Sequence, residues 1–182
     1  KGCNFRCKYC GNPESICPEP EVLFYRDRVK ALAPERCCPY EMDCGHCRSF
    51  ECVKVWKHPA FELVGEELPV AELLGKVAAM RHMIDGVTFG GGEPTLQSGD
   101  LLASLYGLRD MGVNTAVESN AGTAAYAHVV GAVDYLISDL KAGSTEGYRR
   151  LTGCGDELVR RNLTLAARHQ RELLIRIPLV PG

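Results

Sequence analysis

Apolar residues recur at helical spacing three times after Pro69, and these repeats predict three helices. Their apolar faces consist of Val70, Leu73, Leu74, Val77 and Met80; of Leu101, Leu102, Leu105 and Leu108; and of Leu158, Val159, Leu163 and Ala166. Gly86 and Gly112 are predicted to end the first two helices, since glycine is common just beyond a helix. The third is predicted from Glu157 to His169, and a shorter alanine-rich helix is predicted to end near Val130.

Short runs rich in β-branched and apolar residues lie between these helices and predict strands at residues 87–89, 113–117, 135–138 and 173–177. Alternating strands and helices imply parallel strands joined by right-handed crossovers. In such sheets the chemistry lies at the carboxyl ends of the strands. Polar residues follow three of the predicted strands: Glu93, Glu118, Asp139 and Lys141. We therefore expect an α/β fold, part of a parallel (β/α) barrel, with its site at that edge.

Composition limits the class of protein. With 182 residues, 46% of them hydrophobic, the chain can form one domain with a substantial core. Its net charge of −2 implies no nucleic-acid partner, and no stretch is apolar enough to cross a membrane. Ten cysteines without a visible secretory signal argue against a disulfide scaffold and favour metal binding in a reducing, cytoplasmic compartment.

The chain divides into two parts. Residues 13–68 contain six of the cysteines and little apolar periodicity, and we interpret them as a cysteine-rich insert. Residues 1–12 and 69–182 are interpreted as the barrel domain. The chain opens on Lys-Gly-Cys, without an initiator methionine or a complete strand before the cysteines, and it closes directly after a strand-like run. We therefore expect a fragment of a longer protein.

Three cysteines with the spacing C-x3-C-x2-C lie near the start: Cys3, Cys7 and Cys10. They place three thiolates in one short loop, with no fourth cysteine before Cys17. Cubane iron–sulfur clusters are normally held by four cysteines, so three ligands leave one iron free to bind and reduce a ligand. On spacing alone, a zinc loop or a group of free thiols stays open as the alternative.

A glycine-rich turn follows the first predicted strand of the sheet, in the run Gly91, Gly92, Glu93 and Pro94. Glycines let a ligand approach the backbone closely, and exposed amides bind a carboxylate or a phosphate. Taken alone, the run also suits an ordinary strand-to-helix turn.

Together, the cysteine loop and the Gly-Gly-Glu-Pro turn resemble the two motifs of the radical S-adenosylmethionine (SAM) superfamily, in which the turn holds the methionine amino group. Tyr9, the aromatic residue before the third cysteine, fits the same pattern. Within the superfamily, the chain is similar to the activating enzymes of glycyl-radical enzymes, such as the pyruvate formate-lyase activase. The similarity covers residues 1–12 and 86–182, and its segments are residues 87–94, 115–120, 139–141, 151–153, 162–163 and 175–182.

The resemblance implies roles for the matching residues. Cluster ligands would be Cys3, Cys7 and Cys10, and the cofactor-binding set would be Tyr9, Gly91, Gly92, Glu93, Pro94, Glu118, Asn120, Asp139, Lys141 and Arg176. Within that set, the turn would contact the methionine end, and Asp139, Lys141 and Arg176 would lie around the ribose and carboxylate. Glu118 and Asp139 could also place carboxylates near a monovalent cation. Ala121 departs from the family, which often has glycine there, and this leaves the local backbone conformation open.

The insert carries a second set of cysteines, Cys38, Cys44, Cys47 and Cys52. Many activases have a ferredoxin-like insert at this position, with the spacing C-x2-C-x2-C-x3-C, from which this chain departs. We favour a second 4Fe–4S cluster here, and a structural zinc ion is the alternative. Other residues that could serve as ligands are Cys17 or Cys37 in place of Cys38, and His46.

By resemblance, the chain is expected to be an anaerobic oxidoreductase that cleaves SAM to a 5′-deoxyadenosyl radical. The radical would take a hydrogen from a backbone glycine of a partner glycyl-radical enzyme, with flavodoxin or ferredoxin as the reductant. One alternative is a radical SAM enzyme that acts on a small molecule, such as a modified-nucleobase synthase. Another is a non-catalytic metal-binding or electron-transfer module, which would need no cofactor pocket.

Overall fold

A computed structural model of the chain describes residues 1–25, 53 and 61–179, and its main feature is one parallel sheet. In chain order the elements are β1 (Glu21–Phe24), β2 (Phe61–Val64), α1 (Val70–Met80), β3 (Gly86–Phe89), α2 (Ser98–Asp110), β4 (Asn114–Ser119), α3 (Tyr126–Val129), β5 (Tyr135–Asp139), α4 (Thr145–Thr152), α5 (Glu157–His169) and β6 (Glu172–Arg176). Two short 3-10 turns lie at Pro13–Ser15 and Pro94–Gln97. The predicted α/β class is confirmed.

The main sheet has the order β3-β4-β5-β6, and all its neighbouring strands are parallel. Strands that follow one another in the chain are therefore neighbours in the sheet, with helices in the connections. Ser119 lies opposite Ser138, and Asp139 lies opposite Arg176. The carboxyl ends of the last three strands thus meet at one edge, and the four strands of this sheet form an open, partial barrel.

The predicted apolar faces of α2 and α5 pack into the main core. Leu105 of α2, Leu136 of β5 and Val159 of α5 are completely buried in one cluster. Burial of a Leu or Val side chain stabilises the fold by about 1.5–3 kcal/mol, so these faces hold the helices in place. The apolar face predicted for α1 is only partly buried: Val77 is buried, but Met80 is 49% exposed.

Gly112 and Gly86 lie at two helix-to-strand connections, but only Gly112 ends a helix. Gly112 follows α2 with φ of 67°, and its N–H donates to the carbonyl of Arg109, so it ends the helix as predicted. Helix α1 instead ends at Met80, before Gly86, which begins β3. A Cβ atom at Gly86 would lie 2.8 Å from the carbonyl oxygen of Asn114. Gly86 therefore permits close strand approach, and the prediction that it ends α1 was wrong.

Strands β1 and β2 form a separate antiparallel pair that the periodicity did not predict. Glu21 lies opposite Val64, and the Lys1 ammonium binds the Glu21 carboxylate at 3.0 Å and the Val64 carbonyl at 3.3 Å. The described ends of the predicted insert are thus held beside the start of the chain. Of its metal-binding candidates, Cys17 is described and is a free, partly buried cysteine. The others lie outside the described residues: Cys37, Cys38, Cys44, His46, Cys47 and Cys52. The second site and the division at 13–68 therefore stay predictions.

In the part of the chain that the structure describes, no helix is both long enough and apolar enough to cross a membrane.

Candidate active site

A cavity of about 240 Å³ opens at the carboxyl edge of the sheet. One side of it consists of the cysteine loop, with Cys3, Cys7, Cys10 and Tyr9. The backbone of Gly91 and Gly92 lines the next part of the wall. The strand ends complete the wall with Glu118, Asn120, Asp139, Lys141 and Arg176. This cavity therefore brings together the residues predicted for the first site, apart from Glu93 and Pro94.

The cysteine loop is held in place by packing and backbone hydrogen bonds to α4. Phe5 is 3% exposed, and its ring meets the ring of Tyr148 edge to face at a centroid distance of 5.9 Å. The backbone N–H groups of Arg6 and Lys8 donate to carbonyls at the end of α4, both at 2.9 Å. Because these contacts bracket Cys7, the loop has a defined backbone although it contains no helix or strand.

The three cysteines fit the cluster predicted for them. All three thiols are free and partly buried, and they face one cavity. Burial raises the pKa of the Cys3 and Cys7 thiols, and the positive charge of Lys141 opposes that rise at Cys7. Among the described residues, no three His, Cys, Asp or Glu side chains are grouped as ligands of a single metal ion. Each cysteine of a cubane binds a different iron, so a cluster does not require such a group.

Gly91 faces open space in the cavity wall, whereas Gly92 is packed against neighbouring backbone. Gly91 has φ of 112°, and no other atom lies within 4 Å of the place where a Cβ would be, so its backbone faces open space. A Cβ at Gly92 would overlap the carbonyl oxygens of Gly2 and Ser15. The next N–H, that of Glu93, donates to the Gly2 carbonyl at 2.7 Å. The turn is therefore packed against the segment that leads into the cysteine loop.

Glu93 lies beneath the cavity and does not line it. Glu93 is 1% exposed, and its carboxylate accepts four hydrogen bonds. The donors to Oε1 are the Thr95 N–H at 3.1 Å, the Thr95 hydroxyl at 2.6 Å and the Ser119 hydroxyl at 2.8 Å, and the Asn120 N–H donates to Oε2 at 2.7 Å.

The carboxylate of Glu93 thus ties the glycine-rich turn after β3 to the end of β4. Its hydrogen bonds give the Glu93 side chain a positioning role, and the cofactor contact predicted for Glu93 stays a prediction. Pro94 begins the 3-10 turn that follows and lies outside the cavity wall.

A network of charged side chains links three strand ends. The guanidinium of Arg176 binds Asp139 at 2.8 Å and Glu118 at 3.1 Å, and the ammonium of Lys141 binds Asp139 at 2.7 Å. The hydrogen bond from Arg176 to Asp139 is the main cause that raises the pKa of the guanidinium. The position between Glu118 and Asp139, predicted for a monovalent cation, is next to this guanidinium.

Tyr9 lies beside the charged network. Its hydroxyl donates to the Lys141 carbonyl at 3.5 Å, and burial raises the pKa of this phenol to about 12. Tyr9 is therefore a neutral hydrogen-bond donor at physiological pH, and it joins the cysteine loop to the end of β5.

Ala121 adopts a left-handed backbone conformation, which glycine adopts at little cost. Its φ is 56°, and its side chain is completely buried. Its N–H donates to the Ser119 hydroxyl at 3.0 Å, and its carbonyl accepts from the Asn162 amide at 2.9 Å. These bonds hold the backbone in a conformation that costs about 1–2 kcal/mol for an L-residue.

Several residues that shape the site were not predicted from the sequence. They are Asn4, Phe5, Ser119, Gly122 and Asn162. A Cβ on Gly122 would lie 2.5 Å from the Phe5 ring, and Asn162 donates to two carbonyls of the loop after β4. Ser119 and Asn162 lie in segments that the family resemblance covers, and this is the sequence signal that could have indicated them. Their roles were not predicted, because their contacts join distant segments of the chain.

Comparison with known proteins shows the family. The whole chain, residues 1–182, matches the Radical SAM superfamily, and the chain belongs to it. Membership implies a 4Fe–4S cluster and SAM as cofactors, as predicted from the cysteine loop and the glycine-rich turn.

Two curated relatives are activating enzymes. The chain is 27% identical to the indoleacetate decarboxylase activating enzyme of Tractidigestivibacter scatoligenes, over 100% of this chain and 67% of that protein. It is 31% identical to the choline trimethylamine-lyase activating enzyme of Oleidesulfovibrio alaskensis, over 100% of this chain and 66% of that protein. The chain thus spans about two thirds of the length of these relatives.

A solved domain of the pyruvate-formate lyase-activating enzyme from Bacteroides vulgatus shares 29% sequence identity with the chain. The match covers 53% of this chain and 61% of that chain, with a TM-score of 0.46.

Proposed function

We propose that the protein cleaves SAM reductively and uses the resulting 5′-deoxyadenosyl radical to install a glycyl radical on a partner enzyme. The observation that carries this proposal is the convergence of Cys3, Cys7 and Cys10 with the strand ends on one cavity. A cluster with one iron free of protein ligands supplies an electron to the SAM sulfonium when both are bound.

Different residues of the cavity would bind the cluster and the different parts of SAM. The three cysteines would hold the cluster, and the open backbone at Gly91 would receive the methionine end of SAM. Lys141 and Arg176 carry positive charge at the strand ends, where the SAM carboxylate and ribose would lie. Tyr9 and the cysteine loop cover the cavity from the other side and would limit access of water to a reactive radical.

A protein partner is the substrate that the relatives favour. The names of both curated relatives say that they activate an enzyme, one a decarboxylase and the other a lyase. By analogy, the partner of this chain would be a glycyl-radical enzyme, with flavodoxin or ferredoxin as the reductant, in an anaerobic cytoplasm. A second 4Fe–4S cluster or a zinc ion at Cys38, Cys44, Cys47 and Cys52, and a monovalent cation near Glu118 and Asp139, belong to the same proposal.

A non-catalytic electron-transfer module is disfavoured by the cavity itself. Such a module would need only the cysteines, whereas here the cavity beside them is lined by charged strand ends and an open glycine backbone. A radical SAM enzyme that acts on a small molecule would need the same cavity, so the following experiment distinguishes it from an activating enzyme.

The test is anaerobic turnover of the reconstituted full chain with SAM and dithionite. The parent should form 5′-deoxyadenosine, and the Cys3→Ala/Cys7→Ala/Cys10→Ala variant should form none. Addition of a glycyl-radical enzyme encoded beside the gene should give the glycyl-radical signal in electron paramagnetic resonance (EPR). Absence of 5′-deoxyadenosine from the cluster-loaded parent would contradict SAM cleavage. Formation of 5′-deoxyadenosine without a glycyl radical on that enzyme would favour the small-molecule alternative.

A further inference from the structure

One side-chain amide of the loop after β4 reaches a predicted cluster ligand. The Nδ2 atom of Asn120 lies 3.7 Å from the Sγ atom of Cys3 and 2.8 Å from the Oδ1 atom of Asn4. An amide nitrogen carries two hydrogens, so it can serve both acceptors at once. Cys3 also receives the N–H of Phe5 at 3.5 Å.

The orientation of the Asn120 amide follows from its partners. Its Oδ1 atom lies 2.8 Å from the backbone nitrogen of Gly122, which can only donate. The oxygen must therefore face Gly122, and the NH₂ group must face Cys3. Asn4 is oriented in the same way, because its own amide donates to the Gly122 carbonyl at 2.9 Å.

The Asn120 amide is also rigidly placed. Asn120 is 6% exposed, and its backbone N–H donates to the buried Glu93 carboxylate at 2.7 Å. Two hydrogen bonds join the cysteine loop to the segment after β4: Asn120 donates to the Asn4 side chain, and Asn4 donates to the Gly122 carbonyl. The donor near Cys3 is thus held by the fold rather than by solvent.

Among the described residues, this side-chain contact is particular to Cys3. No hydrogen bond is found there from another side chain to the Sγ of Cys7 or of Cys10, and Cys7 instead lies near the charge of Lys141. Of the three predicted cluster ligands, Asn120 therefore contacts Cys3.

We propose that Asn120 is a positioning residue that raises the reduction potential of the cluster by donating an N–H to the Cys3 sulfur. The inference rests on the proposed function, since it needs the cluster at Cys3. When the cluster takes one electron from an external one-electron donor, negative charge on its sulfurs increases. A nearby N–H stabilises that reduced state more than the oxidised one, and cluster potentials respond to such hydrogen bonds.

The test compares midpoint potentials of the reconstituted full chain, measured by dithionite titration with EPR detection. Asn120→Ala removes the donor, and Asn4→Ala is the matched control, because it cuts the same link between loops but leaves the Asn120 amide beside Cys3. In Asn120→Ala we expect the equilibrium constant for reduction to fall about tenfold, which is about 59 mV for one electron. In Asn4→Ala we expect less than a third of that shift. Iron content is measured in parallel to show that loading is equal.

A second variant guards against misfolding of the first. Asn120→Asp keeps the oxygen that accepts from Gly122 and replaces the N–H donor with a second oxygen, so the potential should fall further than in Asn120→Ala. Unchanged or higher potentials in the loaded Asn120 variants, or equal shifts in Asn120→Ala and Asn4→Ala, would overturn the proposal. Failure of both Asn120 variants to load a cluster that Asn4→Ala does load would also overturn it, because the residue would then serve assembly.

The measurement uses neither SAM nor a partner enzyme. A negative result would therefore leave the proposed function standing. A parent chain that takes up no redox-active cluster would contradict the proposed function itself.

Discussion

Replacement of Glu93 by glutamine should destabilise the protein far more than its small change in shape indicates. The two carboxylate oxygens accept four hydrogen bonds, and two of the donors are the backbone N–H groups of Thr95 and Asn120. Backbone N–H groups cannot reverse their direction. A glutamine NH₂ must therefore oppose at least one of them.

The least costly arrangement keeps the amide oxygen at the Oε1 position, where three donors converge, and turns the NH₂ group towards Asn120. A hydrogen bond to a charged group is worth about 1.5–3 kcal/mol, and a buried donor left without a partner costs about 1–3 kcal/mol. With partial relaxation, we expect Glu93→Gln to lower the free energy of unfolding by about 3 kcal/mol, a large share of the about 5–15 kcal/mol of a typical domain.

The assay is urea denaturation of the metal-free, reduced protein, followed by circular dichroism. Glu118→Gln is the matched control, because Glu118 has the same side chain but is 38% exposed and pairs with Arg176. An exposed pair of this kind is worth about 0–1 kcal/mol. A loss below about 1 kcal/mol for Glu93→Gln, or equal losses in the two variants, would refute the assigned role of Glu93.

Three further changes test the packing around the site in the same assay. Gly92→Ala should lower the free energy of unfolding by at least about 2 kcal/mol, because the new methyl group would overlap the Gly2 and Ser15 carbonyls. A loss below about 1 kcal/mol would contradict that packing. Ala121→Gly should change the free energy of unfolding by no more than about 1 kcal/mol. Glycine relieves the left-handed strain, which offsets the loss of the buried methyl group and the greater freedom of the unfolded chain. A loss above about 2 kcal/mol would count against this balance. The Tyr148 hydroxyl is buried and has no hydrogen bond of full geometry among the described residues, although the Lys141 backbone opposes the rise that burial causes in its pKa. Tyr148→Phe should therefore change the free energy of unfolding by less than about 1 kcal/mol. A loss above about 2 kcal/mol would contradict this weak contact.

Elements with a wide apolar stripe were predicted well from the sequence. Helix α5 spans Glu157–His169, as its spacing predicted, and Val159, Leu163 and Ala166 are buried. Helix α4, Thr145–Thr152, was missed because only Tyr148 and Thr152 are buried in it, which gives no repeating apolar stripe. The β1–β2 pair was missed because its strands lie about forty residues apart in the chain, and local patterns do not report such pairing.

The convergence of the predicted residues on one cavity was expected from the sequence, but their contacts with one another were not. Parallel strands place their carboxyl ends together, so residues at the ends of β4, β5 and β6 could be assigned to one edge. The burial of Glu93 depends on donors at Ser119 and Asn120, which are 26 and 27 positions away. The link from Asn120 to Cys3 spans 117 positions. Such contacts depend on packing that spacing along the chain does not describe.

The central claim is that Cys3, Cys7 and Cys10 hold a 4Fe–4S cluster at the cavity. The most direct measurement is the iron content after anaerobic reconstitution, compared between the parent and the Cys3→Ala/Cys7→Ala/Cys10→Ala variant. Iron bound elsewhere in the chain is present in both proteins, so it cancels when the two iron contents are subtracted. The variant should contain about four irons fewer per chain, the content of one cubane. Equal iron in the parent and the variant would contradict the claim.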